Sequence, residues 1–296
     1  MQFDQVLAEL ESGSDWNTPL NRFQWQFLEL NMTTITSNGA THFWRCCREY
    51  LASKTDLAFV AELAAIEDRQ NPQTLSMSAF YMRLLKSLVN RQGMPNSIGE
   101  ITRLRNVLCN FSPKKVSSTY GWDWKSLFYA IKKEIQPSSR MDIDIPQNYW
   151  VIFSKGALDG ATFLSGFTTT KALATEITQF ANSESFSAGL PTVLALEIHG
   201  YGFPLACDFL KECGWSQYAK ADVHTKKVLK HVGHSDGSDY DTFKAIQAIA
   251  RHVKETPYAV DKHIWLIGSG NLYNKQHKFS TSREEFFRYL DHHPAE

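Results

Sequence analysis

The 296-residue chain has no long apolar run, no net charge and no cysteine pattern. Nothing in it approaches the roughly 20 consecutive apolar residues that a membrane-spanning helix needs. Met1 to Glu11 is polar and acidic, without the basic start and apolar run of a secretory signal. These absences predict a cytoplasmic, intracellular protein. Lys and Arg together number 31, as do Asp and Glu. The balance excludes a wholly basic nucleic-acid coat protein, although a local basic patch is enough to meet a phosphate backbone. The five cysteines are Cys46, Cys47, Cys109, Cys207 and Cys213. An odd count without any C-x-x-C spacing argues against a disulfide framework, a zinc site or an iron–sulfur cluster. They read as reduced, buried thiols, with the adjacent Cys46 and Cys47 as a candidate reactive pair. Internal repeats and low-complexity tracts are missing too.

Aromatic rings and helical periodicity are abundant. Eight Trp, eleven Tyr and nineteen Phe furnish a core and leave rings for stacking on a planar ligand. Apolar residues recur at helical spacing over Asp56 to Arg69, Ser78 to Asn90, Ile98 to Leu108, Trp124 to Ile135 and Thr170 to Asn182. Ser-, Pro- and Gly-rich loops are expected over Ser112 to Gly121 and Gln136 to Pro146. Asn148 to Phe167, with glycines at 156, 160 and 166, reads equally as helix or as short strands. Further helices are expected over Pro191 to Ile198, Phe203 to Cys213, Asp222 to Val232, Tyr240 to Lys254, and from Pro257 to near Gly268. Gly233 to Asp239 is a surface turn. Short connections favour a compact all-α bundle.

Leu196 to Leu229 reads LEIHGYGFPLACDFLKECGWSQYAKADVHTKKVL. Two helices meet at His199-Gly200-Tyr201-Gly202, where glycines can adopt positive φ and leave N–H groups uncovered. The second helix starts at once, so its free N-terminal donors suit an anion such as phosphate. An ordinary αα-hairpin would carry the same turn. Downstream, Asp222 opens a helix that continues with His224, Lys226, Lys227 and Lys230. Asp at this position is a natural N-cap, a role compatible with catalysis. The lysines alone would read as a solvated face.

The two segments together resemble the helix-hairpin-helix DNA glycosylase superfamily. Ile198 to Ala206, IHGYGFPLA, is similar to that family's L-P-G-V-G-x-K-T-A hairpin, and Asp222-Val223-His224 with Val228 is similar to V-D-x-H-V-x-R-V, which holds the catalytic Asp. Pro204 and Asp222 are 18 residues apart, the family's usual separation. Thr256 to Gly270 resembles the late P-x-x-x-D-x-x-x-W helix, and Leu84 to Pro95 the early helix that ends in a Gln-containing turn. The likeness is firm over 191–270, weaker over 78–110, and absent over 1–70 and 112–185.

The resemblance implies a mainly α protein, a glycosylase-like helical bundle in two packed helical subdomains. An N-terminal helical extension would cover 1–70 and the core 71–296, with the hairpin at 191–214 and the catalytic segment at 220–232. It further implies an enzyme that flips a damaged or modified base out of double-stranded DNA and hydrolyses its N-glycosidic bond. Asp222 would be the catalytic carboxylate that stabilises positive charge on the sugar. Pro204 stands where bifunctional members hold a nucleophilic Lys, so a monofunctional enzyme leaving an abasic site is expected. Gly200, Gly202 and Phe203 would hold a phosphate, with a monovalent cation as an optional partner and no other cofactor. His224, Lys226 and Lys227 would meet neighbouring phosphates. Gln92 and Met94 are candidates to fill the gap left by the flipped base. Tyr149, Trp150, Trp215, Tyr218 and Trp265 are candidate rings for the base pocket, although core is the stronger reading for each. The long middle section suggests a pocket for a hypermodified, phage-type base as one alternative. A non-catalytic DNA-binding module, a helical interaction protein and a lyase using Lys220 are the others.

Overall fold

In the computed structural model, residues 35–56, 60, 72–270 and 281–294 are described. Chain contacts divide the molecule into two units, 1–34 and 35–296, and all described residues lie in the second. Most of the expected 1–70 extension, and of the expected helix Asp56 to Arg69, lies outside the described residues.

Thirteen α-helices and no strand occur among the described residues. They are α1 (Ser37–Ala52), α2 (Met77–Val89), α3 (Met94–Ile98), α4 (Pro113–Tyr120), α5 (Trp124–Ile135), α6 (Tyr149–Ser165), α7 (Thr170–Asn182), α8 (Gly189–Glu197), α9 (Phe203–Glu212), α10 (Val223–His231), α11 (Asp239–Val253), α12 (Pro257–Ser269) and α13 (Arg283–Asp291). Side-chain oxygens cap many of them: Thr36, Ser76, Asp123, Asn148, Thr169, Asp222, Ser238, Thr256 and Ser282 each accept a backbone N–H of the first turn. A cap of this kind is worth about 1 kcal/mol.

Two apolar clusters organise the bundle. The larger joins α2 and α4–α9, with Phe80, Leu84, Leu88, Trp150, Phe153, Leu194 and Phe209 buried within it. The smaller joins α1 with α10–α13, around Tyr50, Leu229, Ile246, Ile264 and Phe286. α6 is the axis of the larger cluster. Eleven of its 17 residues are buried, so it has no polar stripe and no clear period in sequence. That is why Asn148 to Phe167 gives no decision between helix and strand.

Glycines let α6 approach its neighbours closely. A Cβ on Gly156 would lie 2.4 Å from the His199 carbonyl oxygen, and one on Gly160 would lie 2.5 Å from Leu84 Cδ2. The hairpin turn is thereby pressed against α6 and α2.

Two expectations are corrected. Ser112 to Gly121 is not a loop: Pro113 opens α4 at its first turn, the position proline favours, and Val116 anchors it. With so few buried apolar side chains in PKKVSSTY, the segment carries no period. Ile98 to Leu108 is not one helix. Gly99 (φ 66°) ends α3, a 3-10 turn covers Ile101–Leu104, and Cys109, Asn110 and Phe111 all adopt positive φ. Ile101, Leu104, Leu108 and Phe111 are nevertheless buried, so the spacing marks core positions carried on tight turns instead of an α-helix.

Candidate functional site

The hairpin and the Asp222 segment meet at the seam between the two clusters. Tyr218 and Ala221 belong to the larger cluster and Ala219 to the smaller, so the strand of chain before α10 threads between them. Asp222 ends this segment as the N-cap of α10. Its Oδ1 accepts the N–H groups of His224 at 2.8 Å and Thr225 at 3.0 Å. The carboxylate is half-buried and fixed in orientation at the start of the helix.

Two buried carboxylates grip the same segment from opposite walls. Asp261, on α12, accepts the Lys220 N–H at 3.0 Å and the Thr225 hydroxyl at 3.1 Å. Burial, reinforced by the charge of Asp222, pushes the Asp261 carboxyl up to about 6. Asp208, on α9, accepts from Asn90 Nδ2 at 2.9 Å and lies 3.4 Å from Lys220 Nζ and 3.3 Å from Lys211 Nζ. Burial alone would raise its pKa, but the two ammonium groups and Asn90 outweigh that effect and hold it at about 2. Asp208 thus couples the hairpin's second helix to the residues just before Asp222, and Lys220 is engaged in that ion pair. Asp261 was visible within the late-helix pattern. Asp208 left one trace in sequence, an acid between the buried Cys207 and Phe209.

The hairpin turn differs in detail from expectation. Gly200 takes the left-handed region (φ 83°), where a Cβ would also strike Ile152 at 2.4 Å. Gly202 is ordinary extended backbone (φ −117°) and caps α9 without any side-chain hydrogen bond. Phe203 contributes only backbone to the turn, since its ring is buried edge-on to Phe243 at 5.4 Å. Two turn donors are already used: the His199 N–H donates to Asp159 at 2.9 Å and the Tyr201 N–H to the Ile198 carbonyl oxygen at 3.0 Å. The carbonyl of Gly200, a ligand that a monovalent cation would want, accepts from Arg91 Nη1 at 3.0 Å. A guanidinium therefore already supplies positive charge there.

Of the expected phosphate contacts, Lys227 is exposed. Lys226 is ion-paired with Asp239, and His224 Nδ1 is 2.9 Å from the Gly268 carbonyl oxygen. Gln92 is exposed beside Gly93, whose Cβ would fall 2.2 Å from the Tyr149 hydroxyl. The turn and Tyr149 are therefore in contact. Met94 is fully buried in the larger cluster, so it is a core residue in this structure and offers no wedge into DNA.

The expected ring pocket does not assemble. Trp150 is buried and donates its indole N–H to Ser139 at 2.8 Å; Trp215 is buried and donates to Thr178 at 3.0 Å. Tyr218 is buried against Phe243, and its hydroxyl has no hydrogen-bond partner among the described residues. These three are core. Trp265 is half-buried, with Lys262 Nζ 5.0 Å from its ring centroid.

A cavity of about 570 Å³ instead opens at the end of α2, lined by Arg83, Lys86, Ser87, Asn90, Glu100 and Glu212 among others. Its volume lies within the ~300–1,000 Å³ of small-molecule sites. Two of its wall groups already have neighbours inside the protein, the Ser87 hydroxyl beside Tyr201 and the Arg83 guanidinium beside Cys213. Asn90 ties this wall to Asp208, hence to Lys220 and the Asp222 segment. Sequence reasoning missed this cavity, because its polar groups come from the middle of α2, the Gly99 turn and the end of α9.

No group of three or more His, Cys, Asp or Glu side chains among the described residues is arranged to hold a metal ion. No described helix is long and apolar enough to cross a membrane. Comparison with protein-family models, with curated proteins and with solved structures finds no match.

Proposed function

We propose that this protein is a monofunctional DNA glycosylase of the helix-hairpin-helix type, with Asp222 as its catalytic carboxylate. The observation that carries the reading is the meeting of the two motifs. Asp208 of the hairpin helix pairs with Lys220, two residues before Asp222, so an ion pair ties the element expected to hold a DNA phosphate to the element expected to do chemistry.

In this reading the hairpin around Gly200 and Lys227 seat the backbone of double-stranded DNA, and a flipped nucleotide reaches the seam. As the N-glycosidic bond breaks, positive charge grows on the sugar, and the ionised Asp222 stabilises it and orients a water toward C1′. Two backbone N–H groups hold the carboxylate in place, so little reorganisation accompanies the reaction. The polar cavity beside Asn90 takes the base. Pro204 has no amine and Lys220 is occupied by Asp208, which favours hydrolysis over a Schiff-base route.

The test uses duplex oligonucleotides carrying damaged and modified bases, hypermodified pyrimidines included, followed by alkali to cut abasic sites. Strand breaks only after alkali are expected. Breaks without alkali, or trapping of the protein on DNA by borohydride, would overturn the monofunctional assignment. DNA binding with no base release on any duplex would favour a non-catalytic module.

A further inference from the structure

The resemblance stops short of residues 112–185, yet this section presents a patterned surface. α4 and α5 form a helical hairpin packed on α6. On α5 the inward residues are Leu127, Phe128 and Ile131. The outward residues Lys125, Tyr129, Lys132 and Lys133 follow i, i+4, i+7, i+8 spacing, which places them on one stripe, and all four are exposed. Trp122, in the connection just ahead of α5, is 80% exposed and Tyr129 is 54% exposed. Such rings bring an apolar face with stacking geometry to the surface.

Charge on this stripe is only partly offset locally. The segment 113–135 carries five lysines against two acids in a chain of zero net charge. Asp123 caps α5 through the N–H groups of Lys125 and Ser126 and also offsets the Lys125 charge, and Glu134 accepts from Asn106 at 3.0 Å, which leaves the segment with a net positive charge. Lys132 and Lys133 sit in the last turn, where they also offset the helix dipole. Lys125 lies in the first turn, where a cation opposes the dipole and Asp123 offsets it.

We propose that the outer face of the α4–α5 hairpin is a second nucleic-acid surface, specific for single strands. Trp122 and Tyr129 stack on unpaired bases while Lys125, Lys132 and Lys133 meet the intervening phosphates. Alternation of rings and cations is the chemistry of single-strand binding. A duplex keeps its bases stacked on each other and gives these rings nothing to cover. The surface is separate from the Asp222 seam and stands whether or not that seam cleaves a glycosidic bond.

The full-length protein is titrated with fluorescently labelled oligothymidylate, oligouridylate and a duplex of equal length, following anisotropy from 50 to 200 mM salt. Wild type is expected to bind the single strands. Trp122→Ala and Tyr129→Ala should each weaken that binding about tenfold. The triple variant Lys125→Gln/Lys132→Gln/Lys133→Gln should reduce the slope of log affinity against log salt by about 2, at roughly 0.7 per phosphate. Circular dichroism should be unchanged in all of them, because the altered side chains are exposed, and duplex affinity should hold. Equal affinity for oligothymidylate and oligouridylate would support recognition by stacking and charge alone, and a preference for one would name the natural strand. Single-strand binding that is absent in wild type, or unaltered in the variants, overturns the proposal. So does a loss confined to the duplex, or displacement of the oligonucleotide by polyglutamate as effective as by unlabelled strand.

Discussion

The two walls of the seam each bury one carboxylate against the same stretch of chain, and the two behave in opposite ways. Asp208 on the α9 wall faces two ammonium groups and is held at about 2, whereas burial and the charge of Asp222 push Asp261 on the α12 wall up to about 6 against the opposing pull of Lys211, a backbone N–H and a hydroxyl. Burial acts in the same direction on both. The partners decide the outcome. One wall is an ionic lock on Lys220, and the other holds Asp222 beside a carboxyl that is only just ionised near neutral pH.

The first way to break the comparison is to remove the lock. Asp208→Ala leaves Lys211 and Lys220 facing each other across a buried hole, and it should cost about 3–5 kcal/mol in urea unfolding at pH 7. A loss below 1 kcal/mol would mean that the pair is solvent-relaxed. The pH dependence sharpens the contrast. Asp208 has a folded pKa below its ordinary value, so its contribution is complete above pH 4 and fades as pH falls toward 2. Asp261 has a folded pKa above its ordinary 3.8, so its contribution is complete below pH 4 and is lost as pH rises through 6. The shift corresponds to about 3 kcal/mol. Asp261→Asn should therefore leave stability at pH 4 nearly unchanged and raise it relative to wild type at pH 7, read from unfolding midpoints at both pH values. Equal differences at the two pH values would contradict the assignment. The smallest effect concerns the hairpin's support: Gly156→Ala forces a methyl into the His199 carbonyl oxygen, 2.4 Å from the ideal Cβ position, and should cost about 1–3 kcal/mol.

Legibility in the sequence followed the same division. Helices with one apolar stripe and a capped start were readable, and α5 and α7 have the predicted bounds. Both ends of the site motif were readable because glycine, proline and aspartate at a turn and a cap have local causes. What depends on tertiary surroundings was hidden. α6 is apolar on nearly every side, α4 has few buried side chains to show a period, and the Ile98 to Phe111 stretch buries its apolar residues through tight turns and positive φ. Rings were abundant, but their positions inside or outside the core follow from packing alone. Hence Trp150, Trp215 and Tyr218 went inward while Trp122, not singled out in the sequence, is exposed.

The central claim is that Asp222 carries the chemistry. The direct test is single-turnover base release from the best duplex substrate by wild type and Asp222→Asn, with affinity for the same duplex measured in parallel. Asn keeps an oxygen to accept the His224 and Thr225 N–H groups, so α10 and duplex binding should be retained. Release should fall by about 100-fold or more. Release at the wild-type rate with binding intact would contradict the account and leave the seam as a DNA-binding element only.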